Sequence, residues 1–157
     1  MSGVRFPAGY RLEPLQWAHP RRDFRSGEEK VDDWLVTKAL QHQEKRWSVT
    51  KVLLDEAGAI AGYYTLTTGQ LDFGDLPPDL AKGLPRRLLP MVVLAWFGVS
   101  SGRQGQGLGR SLLAQALSDC HHAGRTLAVI AVIVDCLSDT AKAFFQRWDF
   151  RELPGHP

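Results

Sequence analysis

Arg103-Gln104-Gly105-Gln106-Gly107-Leu108-Gly109-Arg110 sets three glycines at alternate positions. Ahead of it lies a continuous apolar run, Met91 to Val99, and behind it Leu112, Leu113, Ala116, Leu117 and Cys120 recur on one helical face. A buried strand, a glycine turn and a helix in that order turn backbone N–H groups outward at the positive end of a helix dipole. Glycine lets the chain bend freely there and lets a ligand come close. The chemistry on offer is anion binding, so the expected ligand carries phosphate. The same residues would also serve a plain tight strand–helix connection. Spacing narrows the choice of ligand. The stretch lacks the Gly-Lys-Ser/Thr of a Walker loop, and it lacks the early strand and ribose-binding acid of a dinucleotide fingerprint.

The chain that must position this turn has 157 residues, 44% of them apolar and 23% charged, which predicts one globular domain over residues 1–157. Its longest apolar runs are strand-length and nothing resembles a signal peptide, so a cytoplasmic protein without membrane association is expected. Cys120 and Cys136 show no paired metal spacing and the five histidines make no ligand pattern, so no metal is expected and both thiols should be reduced. A net charge of +2 means that a nucleic-acid partner would have to be met by a local patch.

Taken in order, a short strand is expected around Tyr10-Arg11-Leu12, then one helix with Val31, Trp34, Leu35, Ala39 and His42 on its inner face and Lys38, Lys45 and Arg46 on its outer one. Thr50–Leu54 and Ala59–Leu66 read as a hairpin around Asp55-Glu56-Ala57-Gly58. Leu71 to Pro90, with Pro77-Pro78, Pro85 and Pro90, reads as loop, and it holds Arg86-Arg87. The helix after the glycine turn should end at His121-His122, before Gly124. Thr126 to Val134 reads as a second strand buried on both faces. Ser138-Asp139-Thr140 should cap a helix from Ala141 to Trp148, and Phe150 to Leu153 should start a further strand. Strands alternating with helices predict an α/β domain with a mixed sheet and helices on both faces.

Gln104-x-x-Gly107-x-Gly109 resembles the Gln/Arg-x-x-Gly-x-Gly/Ala motif of the GNAT acetyltransferases. Four more stretches resemble the toxin branch of that family: Phe24-x-Ser26-Gly27 with Asp33-Trp34-Leu35, Gly62-Tyr63-Tyr64-Thr65-Leu66, Leu84-Pro85-Arg86-Arg87 with Val92-Val93-Leu94, and Ala141-Lys142-Ala143-Phe144-Phe145-Gln146-Arg147. The resemblance implies a GNAT fold, short here of its last C-terminal strand, with Gly155-His156-Pro157 as a boundary. It implies acetyl-CoA as cofactor, its pyrophosphate held by Gln104, Gly105, Gln106, Gly107, Leu108, Gly109 and Arg110. Phe97, Gly98 and Val99 would meet the acyl group. Ser138, Ala141 and Phe144 join the cofactor set, with core packing the plainer role for Phe144. The implied acceptor is the α-amine of an aminoacyl-tRNA, blocked so that translation stops. Lys38, Lys45, Arg46, Arg86 and Arg87 would track phosphates. Trp96 and Tyr63 would flank the aminoacyl end, each with core packing as its alternative. The implied partner is a ribbon-helix-helix antitoxin whose tail covers the same basic surface, and a homodimer is compatible with the resemblance.

Two departures bear on the chemistry. Many relatives have Gly-Arg-Leu-Ala-Val-Asp where this chain reads Ala95-Trp96-Phe97-Gly98-Val99-Ser100, and the family Tyr is replaced by Phe145. When an amine attacks a thioester, charge develops on the carbonyl oxygen, where backbone amides near Phe97 to Val99 can meet it whatever the side chains. The departing sulfur wants a general acid, and a Tyr at position 145 would supply one. Phe145 keeps the ring without the proton, and general acid catalysis is typically worth about 10²–10⁴-fold. Good acetyl-CoA binding with poor turnover is the expectation. The alternatives are a GNAT enzyme for a small amine or protein amino group, and a catalytically silent CoA-binding component.

Overall fold

The computed structural model describes residues 4–153. Five strands form one sheet in chain order: β1 (Arg11–Pro14), β2 (Val49–Leu54), β3 (Ile60–Asp72), β4 (Leu88–Val99) and β5 (Val132–Val134). The first four pair antiparallel and β5 runs parallel to β4. The helices are α1 (Glu29–Thr37), α2 (Ala39–Glu44), a single turn α3 (Pro78–Ala81), α4 (Leu108–Thr126) and α5 (Asp139–Gln146). The mixed α/β sheet expected of a GNAT fold is present.

Side-chain alternation along the strands loads the two sheet faces separately. Val52, Leu54 and Tyr63 bury against Val31, Leu35 and Ala39 of α1 and α2. Leu53, Tyr64 and Leu94 bury against Leu108, Leu112 and Ala116 of α4 and Phe145 of α5. The adjacent pair Tyr63-Tyr64 therefore splits between the faces. The Tyr63 hydroxyl donates to the Val31 carbonyl at 2.5 Å, and the Tyr64 hydroxyl donates to Asp119 on α4.

Several expectations are corrected. The single first helix is two, broken at Lys38 (φ −131°), where the Thr37 hydroxyl donates to the Asp33 carbonyl at 2.6 Å, a back-bond that bends helices. The proline-rich stretch is not all loop: β3 runs to Asp72 and β4 begins at Leu88. Pro90 is tolerated because its ring nitrogen points to the β5 side, where only its carbonyl is used, by Ile130 N–H at 3.1 Å. α4 continues through His121, His122 and Gly124 to Thr126, so β5 shrinks to three half-buried residues while Leu127 (63%) and Ile130 (41%) stay exposed. Edge position explains this, since among the five described strands β5 pairs with β4 alone. Of the strand start expected at Phe150 to Leu153, only Leu153 makes a β-bridge among the described residues. The expected boundary at Gly155-His156-Pro157 lies outside the described residues.

Candidate acyl-transfer site

The glycine turn is built by backbone conformation. Gly105 (φ 81°) and Gly107 (φ 79°) both sit in the left-handed region, and Gly107 is the N-cap of α4. A side chain at either would be strained, and no other group lies near the space one would fill, so the turn forms an open cradle. The first turn of α4 adds N–H groups that have no partner within the helix. Gly109 lets α5 approach, since a Cβ there would stand 3.3 Å from the Phe144 ring. These residues fit a pyrophosphate: free amides, positive helix end and no bulk. The Gln104 side chain takes another part, donating to the carbonyls of Ser26 (2.8 Å) and Val99 (3.1 Å) and so locking the turn to the end of β4.

Beside the cradle the sheet opens. β4 and β5 pair only from Val92–Val132 to Leu94–Val134, while β4 continues to Val99. An extra residue, Ala95, opposite Thr65 and Leu66 shifts the strand's phase. Ser100 N–H bonds to Ala61 on β3 at 2.8 Å, so by alternation the amides of Phe97 and Val99 point the other way, into the opening. Preorganised backbone donors at such an opening are the arrangement an oxyanion needs. The Phe97 and Val99 side chains pack toward α4 and α5. Trp96 packs on the α1–α2 side, and a Cβ on Gly98 would stand 2.7 Å from Val31 of α1. The end of β4 thus faces α4 and α5 on one side and α1 and α2 on the other.

Phe145 is 5% exposed, its ring 5.7 Å from Phe97, 5.2 Å from Phe144 and 5.5 Å from Phe150. Its ring is buried among these aromatics, and half-buried Phe144 is the ring that borders the cradle. Ser138 and Ala141 engage each other, the hydroxyl accepting from the amide at 3.1 Å as the α5 N-cap. Tyr63 is fully buried and its hydroxyl titrates well above the usual range, through burial first and the Asp32 charge second. It is core, not a flank for the acceptor. Tyr64 is likewise raised, by burial and then by its bond to Asp119, so neither hydroxyl is free to protonate a leaving group.

The basic residues do not form one patch. Lys38, Lys45 and Arg46 gather around α2, whereas Arg86 and Arg87 precede β4, at the opposite end of that strand from the cradle. Arg86 stacks over Phe73 at 5.8 Å, and the Arg110 guanidinium stands 5.4 Å over the Trp148 ring. Sequence reasoning passed over Asp55. Its carboxylate, 7% exposed, accepts from Ala57 and Ala59 N–H (2.9 Å each) and from Arg103 (2.8 Å), which also donates to the Tyr10 hydroxyl at 2.5 Å. The hairpin turn thereby anchors the start of the glycine stretch; an acid opening a glycine-ended turn was its only trace in the sequence. Asp119 likewise gathers Tyr64, Lys51 (2.8 Å) and Gln115 (3.1 Å) under α4. Among the described residues no group of three or more His, Cys, Asp or Glu could hold a metal, and no helix is long and apolar enough to cross a membrane.

Residues 22–157 match the Acetyltransferase (GNAT) domain. The chain is 32% identical over 134 residues to the tRNA-acetylating toxin of Mycobacterium tuberculosis strain H37Rv, covering 85% of this chain and 80% of that protein. Among solved structures it is similar to a Tyr-to-Phe mutant of KacT (TM-score 0.87, 25% identity, 92% of this chain and 88% of the other). It is also similar in fold to AtaT complexed with acetyl-methionyl-tRNAfMet (TM-score 0.84, 24% identity, 92% and 88%). A third similar fold is a Tyr-to-Phe mutant of AtaT bound to the C-terminus of the antitoxin AtaR and acetyl-CoA (TM-score 0.76, 22% identity, 90% and 84%).

Proposed function

Because the chain belongs to the GNAT acetyltransferases, and is therefore an acyltransferase that uses acetyl-CoA, we propose that it acetylates the α-amine of an aminoacyl-tRNA and so blocks translation. The observation that carries the reading is the open Gly105–Gly107 cradle beside the unzipped end of β4, in a chain related over most of its length to a tRNA-acetylating toxin. Acetyl-CoA, when bound, supplies an activated acyl group. The amides from Gly105 to Arg110 hold the pyrophosphate, and those of Phe97 and Val99 meet the acyl oxygen as charge grows on it. Trp96 and the basic residues flanking α2 (Lys38, Lys45 and Arg46) face the acceptor side. Phe145 brings volume without a proton, which sets turnover low. Charged tRNA as substrate implies a cytoplasmic site of action, and a lethal activity implies a neutralising antitoxin of the ribbon-helix-helix kind.

The test is transfer of labelled acetyl groups to bulk charged tRNA by the parent and by Phe145→Tyr. We expect slow transfer by the parent and an increase of up to about 10²-fold in the variant, the low end of general acid catalysis. Acetylation of free amines or proteins but not of charged tRNA would favour the second acceptor class. Acetyl-CoA binding with no transfer by either protein would make the chain a silent CoA-binding component.

A further inference from the structure

A row of aromatic rings runs along the α1–α2 face of the sheet. Trp96 stacks on Trp34 at 5.0 Å with the planes 10° apart, Trp34 meets His42 at 4.6 Å, and His42 meets Trp47 at 5.0 Å, both edge-on. The inner rings are fixed: the Trp34 indole N–H donates to the Thr65 hydroxyl at 3.2 Å, and that hydroxyl pairs with Thr50 beneath. The outer ring is not covered. Trp47 is 56% exposed, with the Lys45 ammonium 4.8 Å from its ring centre.

Local backbone makes this exposure expensive. α2 ends with Trp47 N–H bonded to the His42 carbonyl (2.8 Å) and Arg46 N–H bonded to the Gln43 carbonyl (3.0 Å), a C-terminal motif that wants glycine in the left-handed position. Arg46 occupies it, at φ 61°. The sequence thus tolerates strain to put a cation beside a tryptophan that the same turn pushes to the surface. Strain retained where a relaxed residue was available points to use of the site.

We infer that Trp47, Lys45 and Arg46 form a stacking platform for an unpaired RNA base, with the row through Trp34 leading inward to Trp96 next to the acyl site. This rests on charged tRNA being the acceptor, and it adds how its single-stranded end is held. An indole face takes any base, and the flanking cations take the phosphates on either side. From Lys38 to Trp47 the chain sets three cations, Lys38, Lys45 and Arg46, against one carboxylate, Glu44.

The experiment measures binding of deacylated bulk tRNA, of a blunt RNA duplex and of acetyl-CoA to the parent, Trp47→Ala, Trp47→Phe and Arg46→Gly, with melting temperatures. Trp47→Ala should weaken tRNA binding about tenfold, with Trp47→Phe retaining most of it, since loss of one base stack has that size. Duplex and acetyl-CoA binding should not change in either. Arg46→Gly should melt higher, as the turn relaxes, yet hold tRNA less well, a pair of opposite shifts that a merely structural role would not give. Equal tRNA affinity in Trp47→Ala and parent, or equal losses on tRNA and duplex, overturns the platform. A parent that binds acetyl-CoA but no tRNA overturns the tRNA reading itself, and the platform with it.

Discussion

Gly107 combines a left-handed backbone with an open space in front of it, and these two properties separate in mutants. Gly107→Ala should cost about 1–2 kcal/mol of stability from conformation alone and leave some acetyl-CoA binding. Gly107→Asp adds a like charge against pyrophosphate and should abolish binding, as calorimetric titration would report. Asp55 makes a different kind of demand. Asp55→Ala removes acceptors from two turn amides and strands the Arg103 guanidinium, so urea denaturation should register a loss of about 3 kcal/mol, the low end for breaking a buried pair because Arg103 is a third exposed. The glycines were legible from sequence because the need for positive φ leaves few residue choices. Asp55 was not, because its partner lies 48 positions away and only the folded hairpin brings them together. Phe144 and Phe145 are adjacent on one helix and so face different ways: the first borders the cradle at Gly109, and the second is buried against Phe97.

β4 shows what periodicity reveals at the scale of an element and what it hides. Its apolar run announced a central strand, but the bulge at Ala95 and the extension back through Pro90 depend on neighbours that no run of residues records. The helices erred in the opposite sense: hydrophobic spacing joins α1 to α2 across Lys38, and only the Thr37 back-bond parts them. β5 was over-read because a uniformly apolar stretch promises burial that an edge strand cannot deliver. Contact between α1 and β4 depends on Gly98, where a Cβ would stand 2.7 Å from Val31 and 3.4 Å from Phe24. Gly98→Ala should lift α1 and destabilise by about 1–3 kcal/mol, as overpacking does. Val31→Ala in the same chain should restore part of the loss, measurable as a double-mutant cycle in urea.

Across the whole molecule, alkali should be the weak side. The Cys120 thiol is pushed up from its usual 9 to about 11 by burial and by Asp119, and Tyr63 and Tyr64 are raised as well. Each binds its proton more tightly folded than unfolded, so their contribution is complete below pH 9 and is lost as pH climbs toward 11 and beyond. Urea midpoints should fall by an amount equivalent to about 2 kcal/mol for Cys120 over that interval, and Cys120→Ala should flatten the first part of the decline. The general architecture was legible because each sheet face is loaded by one alternating set of residues, with Tyr63-Tyr64 marking the switch. The location of charge was not, since residues near one another on paper, such as Arg86 and the strand it precedes, end up at the far end from the glycine cradle. The parallel ladder between β4 and β5 stops after Leu94 and Val134. Were it continued along β4 as far as Val99, carbonyls from the chain itself would claim the Phe97 and Val99 donors, and the molecule would hold the same fold with no amides left for an acyl oxygen. An acyl site at this opening would therefore be a property of an unfinished seam, set by where β5 leaves β4 and not by any side chain along it.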